Sequence, residues 1–262
     1  MTPVWDEKAA LGRFFHFHKR FIWGNMQETS RALRTAIYID GYNLYYGRLR
    51  NTQYKWLDVV ALFSQITRSI EPHSQIISVK FFTAPALPKF SKHGKESMRA
   101  QNDYHRALEA KYPDKFEKVL GSHVYEKDGT NMPVYVEGNP FDKDNTVRVW
   151  RLVEKKTDVN LALSMYRDVN RGSLDQVVLI SNDTDTEPVI NALIEDFPAL
   201  KIGMIMPRGP QSSGKKGRPA SSSLINLAHW SRTYINDEEL MAAQLPEQVP
   251  TKKWPAKKPI HW

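Results

Sequence analysis

The chain has 262 residues, 41% of them hydrophobic and 25% charged, with 37 Lys and Arg against 29 Asp and Glu for a formal net charge of +8. It contains no cysteine, which excludes disulfides, thiolate zinc sites and cysteine nucleophiles and favours a cytoplasmic protein. No apolar run approaches the ~18 residues that a membrane span requires, and the basic balance favours a polyanionic partner such as nucleic acid.

The first part of the chain predicts an N-terminal extension followed by alternating strands and helices. Residues 1–33 read as an arm, whose stretch FFHFHKRFIW is apolar enough to dock on its own domain or on a second copy, which leaves a homo-oligomer open. The next predicted elements are the strand TAIYID (35–40), the helix WLDVVALFSQITRSI (56–70), the strand QIISVKFFTA (75–84) and the helix GKESMRAQNDYHRALEAKY (94–112).

The second part resumes this alternation after an interruption. Residues 115–151 hold short apolar stretches separated by turn signals and predict a small β insertion. The elements that follow are a helix over 157–169, a strand over 174–181, a helix over 187–197, a strand over 201–207 and a Gly/Ser/Lys loop over 208–223. We expect one domain over residues 34–240, and the proline- and lysine-rich residues 241–262 predict a disordered basic tail.

Alternating strands and helices predict an α/β fold with a mostly parallel central sheet and helices on both faces. In such sheets ligands bind outside the carboxyl ends of the strands. Asp40 ends the first predicted strand, Asp183 and Asp185 follow the strand LDQVVLIS, and Asp158 lies in the first turn of a helix. We therefore expect these four aspartates to converge at one edge of the sheet.

An acidic pocket of this kind predicts a metal site. Carboxylate oxygens suit Mg²⁺ or Mn²⁺, which keep several waters and bind through a few carboxylates and substrate phosphate. Asn43, three residues after Asp40, would hold a carboxylate or a water through its amide. Each acid also has a simpler interpretation: Asp40-Gly41 as a turn, Asp158 as an acid that suits a helix dipole, and Asp183 and Asp185 as helix caps.

Three motifs, IYIDGYNLYY, KKTDVNLAL and LISNDTDTEPVI, occur in this order, and together they resemble the NYN domain, a branch of the PIN-like nuclease superfamily. The resemblance covers about residues 35–235. It implies a PIN-like (Rossmannoid) fold and a metal-dependent ribonuclease whose catalytic residues are Asp40, Asn43, Asp158, Asp183 and Asp185, with the four aspartates as metal ligands. Two positions depart from the pattern: Asn182 stands where glycine is common, and Thr186 stands where an apolar residue is usual.

Basic and aromatic residues near these motifs predict contacts with nucleic acid. Lysine and arginine bind phosphate without reading sequence, and Tyr42, with Tyr45 and Tyr46, would stack unpaired bases. The predicted basic contacts are Arg48, Arg99, Lys155, Lys156, Arg208, Lys215, Lys216 and Arg218.

The sequence supports three functions to different degrees. The first is an endoribonuclease that hydrolyses single-stranded or structured RNA with Mg²⁺ or Mn²⁺. The second is an RNA-binding or regulatory module with weak or no catalysis. The third is a 6-hydroxy-3-succinoylpyridine monooxygenase, the label that some similar sequences carry. The chain lacks a G-x-G-x-x-G motif after its first strand, which argues against a dinucleotide site there.

Overall fold

The computed structural model of the chain describes residues 31–210 and 218–262. The predicted N-terminal arm lies, apart from residues 31–33, outside these ranges, as do Lys215 and Lys216. The elements of the first half are β1 (Leu33–Asp40), α1 (Gly41–Leu44), a π-helical turn (Tyr45–Leu49), α2 (Val59–Ile70), β2 (Ser74–Thr83), a 3₁₀ turn (Pro88–Phe90), α3 (Lys95–Lys111), β3 (Phe116–Leu120), β4 (Ser122–Tyr125) and β5 (Thr130–Pro133). Those of the second half are β6 (Thr146–Val149), β7 (Leu152–Lys155), α4 (Thr157–Asn170), β8 (Gln176–Ile180), a 3₁₀ turn (Thr184–Thr186), α5 (Glu187–Asp196), β9 (Lys201–Ile205), α6 (Ser222–Leu227), β10 (Trp230–Arg232), α7 (Asp237–Ala242), β11 (Gln248–Val249) and β12 (Ala256–Lys257).

The central sheet has six strands in the order β10-β9-β8-β1-β2-β3, and every neighbouring pair is parallel. The α/β fold predicted from the sequence is confirmed. The chain runs outward from β1 to β3 on one side and from β8 to β10 on the other, so the strand order reverses between β1 and β8. The carboxyl ends of these two strands therefore form the crevice where parallel α/β sheets bind their ligands.

Helices cover both faces of the sheet and divide the core into two layers. Side chains alternate along β1, so Ile37 and Ile39 belong to one layer while Ala36 and Tyr38 belong to the other. The first layer includes residues of α2 and α3, and the second includes residues of α4 and α5. Among the residues that the structure describes, no helix is both long and apolar enough to cross a membrane.

The insertion predicted over residues 115–151 is correct only in part: its first stretch forms β3, the edge strand of the central sheet, and the rest forms an antiparallel ribbon, which we call the β ribbon (residues 122–155). In it β4 pairs with β7 and β5 pairs with β6. Its base is held by Lys89, whose Nζ lies 3.7 Å from the ring centroid of Trp150 and 5.2 Å from that of Tyr125. Its tip is open to solvent, with Tyr135 86% exposed.

The C-terminal segment differs from the disordered tail that its composition predicted. Leu245, Val249 and Ala256 are buried in the same core layer as α2 and α3, and β11 pairs with β12. Trp262 packs near Trp56, with ring centroids 6.2 Å apart. A few well-placed apolar residues among the prolines and lysines are enough to dock this segment, which average composition does not reveal.

Candidate functional site

Asp40 lies at the carboxyl end of β1, beside the point where the strand order reverses. Its side chain is only 2% exposed and accepts three hydrogen bonds: from the Asn43 backbone N–H at 2.9 Å, from Asn43 Nδ2 at 2.6 Å and from Ser181 Oγ at 3.0 Å. A carboxylate offers about four acceptor positions, so one is left for a further partner. Burial raises the pKa of Asp40, and the nearby charge of Asp183 adds to that shift.

Gly41 explains why the chain turns so sharply after Asp40. A Cβ at this position would lie 2.7 Å from the Phe82 carbonyl oxygen and would also overlap the Phe81 ring. The Asp-Gly pair is therefore more than a turn signal, because glycine allows α1 to begin against the neighbouring strand β2. Asp40 then caps α1 through the Asn43 N–H.

The loop after β8 brings Asp183 next to Asp40. Ser181 joins the two, since its Oγ donates to Asp40 and accepts a hydrogen bond from the Asp183 N–H at 3.1 Å. Asp183 also caps the following 3₁₀ turn by accepting from the Asp185 N–H at 3.3 Å. The predicted cap of the helix at 187 is wrong, because Asp183 caps the 3₁₀ turn and the N-cap residue of α5, Thr186, makes no side-chain capping bond. Asp183 lies beside Asp40, and Asp185 is exposed at the same rim.

The two departures from the family pattern stabilise this loop. Asn182 is buried; its Nδ2 donates to the Pro219 carbonyl at 2.9 Å and its Oδ1 accepts from the Ser221 N–H at 2.8 Å. Thr186 is also buried, and its Oγ1 donates to the Asp183 carbonyl at 2.7 Å. Asn182 therefore joins the acidic loop to the segment before α6, and Thr186 closes the loop on the Asp183 carbonyl.

Asp158, in the first turn of α4, completes the cluster together with an acid that the sequence did not point to. Partial burial raises the pKa of Asp158 to about 6, and the charges of Asp40, Glu154, Asp183 and Asp185 raise it in the same direction. Glu154 lies in β7 and accepts hydrogen bonds from the N–H and Oγ1 of Thr157. Its place in the cluster depends on how the β ribbon folds back, and no sequence signal reports that.

The residue before α4 has an unusual backbone. Lys156 has a φ of 76°, a left-handed conformation that a long side chain adopts at a cost. Non-glycine residues held in this region concentrate at functional sites. Here the conformation joins the end of the β ribbon to the helix that carries Asp158.

The acidic cluster has the donor chemistry of a divalent-cation site but, within the described part of the chain, not the geometry of direct ligation by three side chains. Across residues 31–210 and 218–262, no three acidic or histidine side chains stand close enough to bind one ion directly. The donors are all hard carboxylate oxygens, and their mutual repulsion is what a cation would relieve. Mg²⁺ and Mn²⁺ keep several of their waters, so Asp40, Asp158 and Asp183 would hold such an ion partly through water.

A tyrosine–histidine pair lies between the cluster and the β ribbon. Tyr42 Oη and His123 Nε2 are 2.8 Å apart, and the rings meet edge to face at 6.1 Å. His123 belongs to β4 and lies opposite Glu154 in the ribbon. Burial raises the pKa of Tyr42, and the charge of Glu154 adds to the shift. Tyr42, predicted only to stack on bases, thus also joins the first motif to the insertion.

The predicted basic contacts fall into different environments. Arg48 is buried: it donates to the Ile235 carbonyl at 2.8 Å and pairs with Asp237. Because this guanidinium is buried and already bonded to internal acceptors, the prediction that Arg48 contacts phosphate is wrong. Arg208 is half-buried, and the exposed candidates are Arg99, Lys155, Lys156 and Arg218.

Comparison with known proteins connects this geometry to a family. The NYN domain model matches residues 34–197, a span that includes all five acids of the cluster. A Pseudomonas putida (strain DSM 28022 / S16) protein named 6-hydroxy-3-succinoylpyridine 3-monooxygenase HspA is 38% identical over 249 residues, covering 89% of this chain and 76% of that protein. A solved structure of a Vibrio parahaemolyticus protein of unknown function is 20% identical, with a TM-score of 0.47, and covers 80% of this chain and 97% of that one.

Proposed function

The chain belongs to the NYN domain family, a branch of the PIN-like nuclease superfamily, and from this membership we propose that it is a metal-dependent endoribonuclease. The observation that carries the proposal is the convergence of Asp40, Asp158 and Asp183 at the point where the strand order reverses. Partial burial, with the charges of Asp40, Glu154, Asp183 and Asp185, raises the pKa of Asp158 to about 6, which is typical of a site where acidic side chains are concentrated.

The residues of the cluster divide into a fixed part and an accessible part. Asp40 is buried and oriented by Asn43 and Ser181, so its free acceptor position points in a defined direction. Asp158 and Asp183 are more exposed and can approach a ligand from solvent. A bound Mg²⁺ or Mn²⁺ would supply positive charge to the phosphodiester and lower the pKa of an attacking water. The carboxylates would orient that water for attack in line with the leaving oxygen.

The basic residues support a nucleic acid as the substrate. Arg99, Lys155, Lys156 and Arg218 are exposed, and the chain carries a net charge of +8. Phosphate contacts from such side chains contribute affinity that weakens steeply with salt. An acidic cluster in a basic protein therefore suits the hydrolysis of a polyanion, whose phosphate would be attracted to the surface and then meet the cation.

Cleavage of end-labelled single-stranded RNA, structured RNA and DNA tests this function. The purified protein is assayed with Mn²⁺, Mg²⁺ or EDTA beside Asp183→Asn, with Asp142→Asn in the exposed tip of the β ribbon as the control. We expect metal-dependent RNA cleavage that Asp183→Asn abolishes and Asp142→Asn keeps. Binding without cleavage would favour the RNA-binding module, and equal cleavage by Asp183→Asn would refute the assignment of the site.

The 38% identical Pseudomonas putida protein supports a second candidate, a monooxygenase, because its name states that activity. The geometry at β1 argues against a dinucleotide there: Asp40 Oδ1 already accepts the hydrogen bond from the Asn43 N–H at the start of α1, where a pyrophosphate would bind. Incubation with 6-hydroxy-3-succinoylpyridine, a reduced nicotinamide cofactor and oxygen tests this candidate. Hydroxylated product, or a flavin spectrum in the purified protein, would favour it over the nuclease.

A further inference from the structure

The two turns of helix after Asp40 display an aromatic surface. α1 passes directly into the π-helical turn Tyr45–Leu49, which closes with a 2.6 Å hydrogen bond from the Arg50 N–H to the Tyr45 carbonyl. π-helical turns are rare and concentrate at functional sites. Tyr46 lies in this turn, and its side chain is 58% exposed.

Tyr46 rests on other aromatic rings. The rings of Tyr46 and Tyr42 are nearly parallel, at 10° with centroids 6.1 Å apart, and Tyr45 meets Tyr46 edge to face at 5.1 Å. Tyr42 in turn is held by His123 of the β ribbon. This support limits the rotation of Tyr46, so its orientation is set before any ligand binds.

The residues immediately after Tyr46 fasten the turn to the domain. A Cβ on Gly47 would overlap the Pro207 carbonyl oxygen, so this glycine allows the turn to pack directly on the end of β9. Arg48 is buried and bonded to the Ile235 carbonyl and to Asp237. A rigid backbone therefore carries an exposed ring, and little conformational entropy is lost when that ring binds a partner.

The position of these rings relates them to the acidic cluster. Tyr42 Oη lies 2.8 Å from Nε2 of His123, and His123 lies opposite Glu154 in the β ribbon. Glu154 in turn accepts a hydrogen bond from the N–H of Thr157, the residue before Asp158. The aromatic surface and the acids therefore border each other. Arg50, itself exposed, has its guanidinium over the Tyr46 ring, 5.4 Å from the centroid, so a base that stacks on that face would displace it toward the adjacent phosphate.

We propose that Tyr46 is a stacking platform for an unpaired nucleobase, so that the site selects single-stranded segments of RNA. This inference rests on the proposed function. A flat, exposed, supported ring binds any base through its face, and in a duplex those faces are covered by neighbouring base pairs. Tyr42 and Tyr45 serve as the support: Tyr42 is half-buried and bonded to His123, and the rings of Tyr45 and Tyr46 are nearly perpendicular.

The test uses a single-stranded oligoribonucleotide that contains one 2-aminopurine, whose fluorescence falls when it stacks on an aromatic ring. Its binding to the full chain is titrated in EDTA, so that affinity is read without cleavage, and the matching duplex is titrated in parallel. Tyr46→Leu removes the ring and Tyr46→Phe keeps it, while Tyr135→Leu removes an exposed tyrosine from the ribbon tip. Cleavage of the same RNA by the wild type with Mn²⁺ is measured separately.

We expect Tyr46→Leu to weaken single-strand binding about 5- to 150-fold, the range for loss of one base–aromatic stack, and to abolish the fluorescence change. Tyr46→Phe and Tyr135→Leu should bind the single strand as the wild type does. None of the three substitutions should change the affinity for the duplex. Wild-type quenching that survives in Tyr46→Leu would overturn the platform while leaving the nuclease proposal intact. Quenching that depends on Tyr46, without any metal-dependent cleavage, would keep the nucleobase site and refute the nuclease.

Discussion

Replacing Asp158 by asparagine should stabilise the metal-free protein. In the folded chain partial burial and four neighbouring carboxylates raise the pKa of Asp158 from 3.8 to about 6. The folded state therefore holds its proton more tightly than the unfolded state does. Asp158 therefore does not destabilise the fold below about pH 4, where it is protonated in both states. As the pH rises through 6 this proton is lost, and at pH 8 the charged side chain lowers the free energy of unfolding. Asparagine has the same shape and removes the charge.

The size of the effect follows from the shift and from exposure. A shift of about two pKa units corresponds to roughly 3 kcal/mol, but Asp158 is exposed at the rim and solvent screens such interactions, so we expect about 1 kcal/mol. For a domain of this size that corresponds to an increase in melting temperature of about 2–4 °C. The increase should appear in EDTA at pH 8 and vanish near pH 4.

Thermal unfolding of wild type and Asp158→Asn, in EDTA and in Mn²⁺, measures this effect. The control is Glu96→Gln, which removes another acid from the first turn of a helix, α3. Glu96→Gln should lower stability slightly, since that acid favours the positive end of the helix dipole. Mn²⁺ should stabilise the wild type more than Asp158→Asn. If Asp158→Asn instead lowers the melting temperature as Glu96→Gln does, Asp158 acts only on the helix dipole and the acidic cluster is not coupled as we describe.

Three further predictions concern the scaffold. Burial, with a contribution from the charge of Lys118, holds the pKa of His105 at about 3, so the free energy of unfolding should fall by about 2 kcal/mol between pH 7 and pH 5. In urea titrations, His105→Gln should make the free energy of unfolding less dependent on pH. A pH dependence equal to that of the wild type would contradict this prediction. Arg48→Met should lower the free energy of unfolding by about 2–3 kcal/mol because the buried Ile235 carbonyl loses its donor; weaker RNA binding at unchanged stability would restore Arg48 as a phosphate contact. Trp262→Ala should cost about 2 kcal/mol because the ring packs on Trp56, whereas a disordered tail would show no change in melting temperature.

Strand and helix periodicity were sufficient to predict the parallel sheet, because these patterns are local. The buried run of β8 and the alternating faces of β1 are readable from neighbouring residues alone. The rule that ligands bind at carboxyl strand ends then related Asp40 to Asp183 across 143 residues of chain, and Ser181 does bridge them. Residue type and topology together were enough for that step.

The errors occurred where a side chain's role depends on distant partners. Arg48 looks like a basic residue beside a motif, but its guanidinium is buried against Ile235 and Asp237, nearly 190 residues later in the chain. The C-terminal segment looks disordered by composition, yet Trp262 and Ala256 pack in the core. Charge and proline content are averages over a segment. They do not show whether a few of its apolar side chains can pack against the folded domain.

The sequence by itself determined the alternation of the main strands and helices, the acids at their ends and the motifs of the family, since these depend on local pattern. It did not predict β10, α7, β11 or β12. Only the tertiary structure decided that Glu154 of the β ribbon acts on the acidic cluster, that His123 contacts Tyr42, and that Tyr46 is the most exposed of the three tyrosines after Asp40. The reason is physical: a hairpin register and a π-helical turn are set by packing against residues far away in sequence, such as Pro207 behind Gly47.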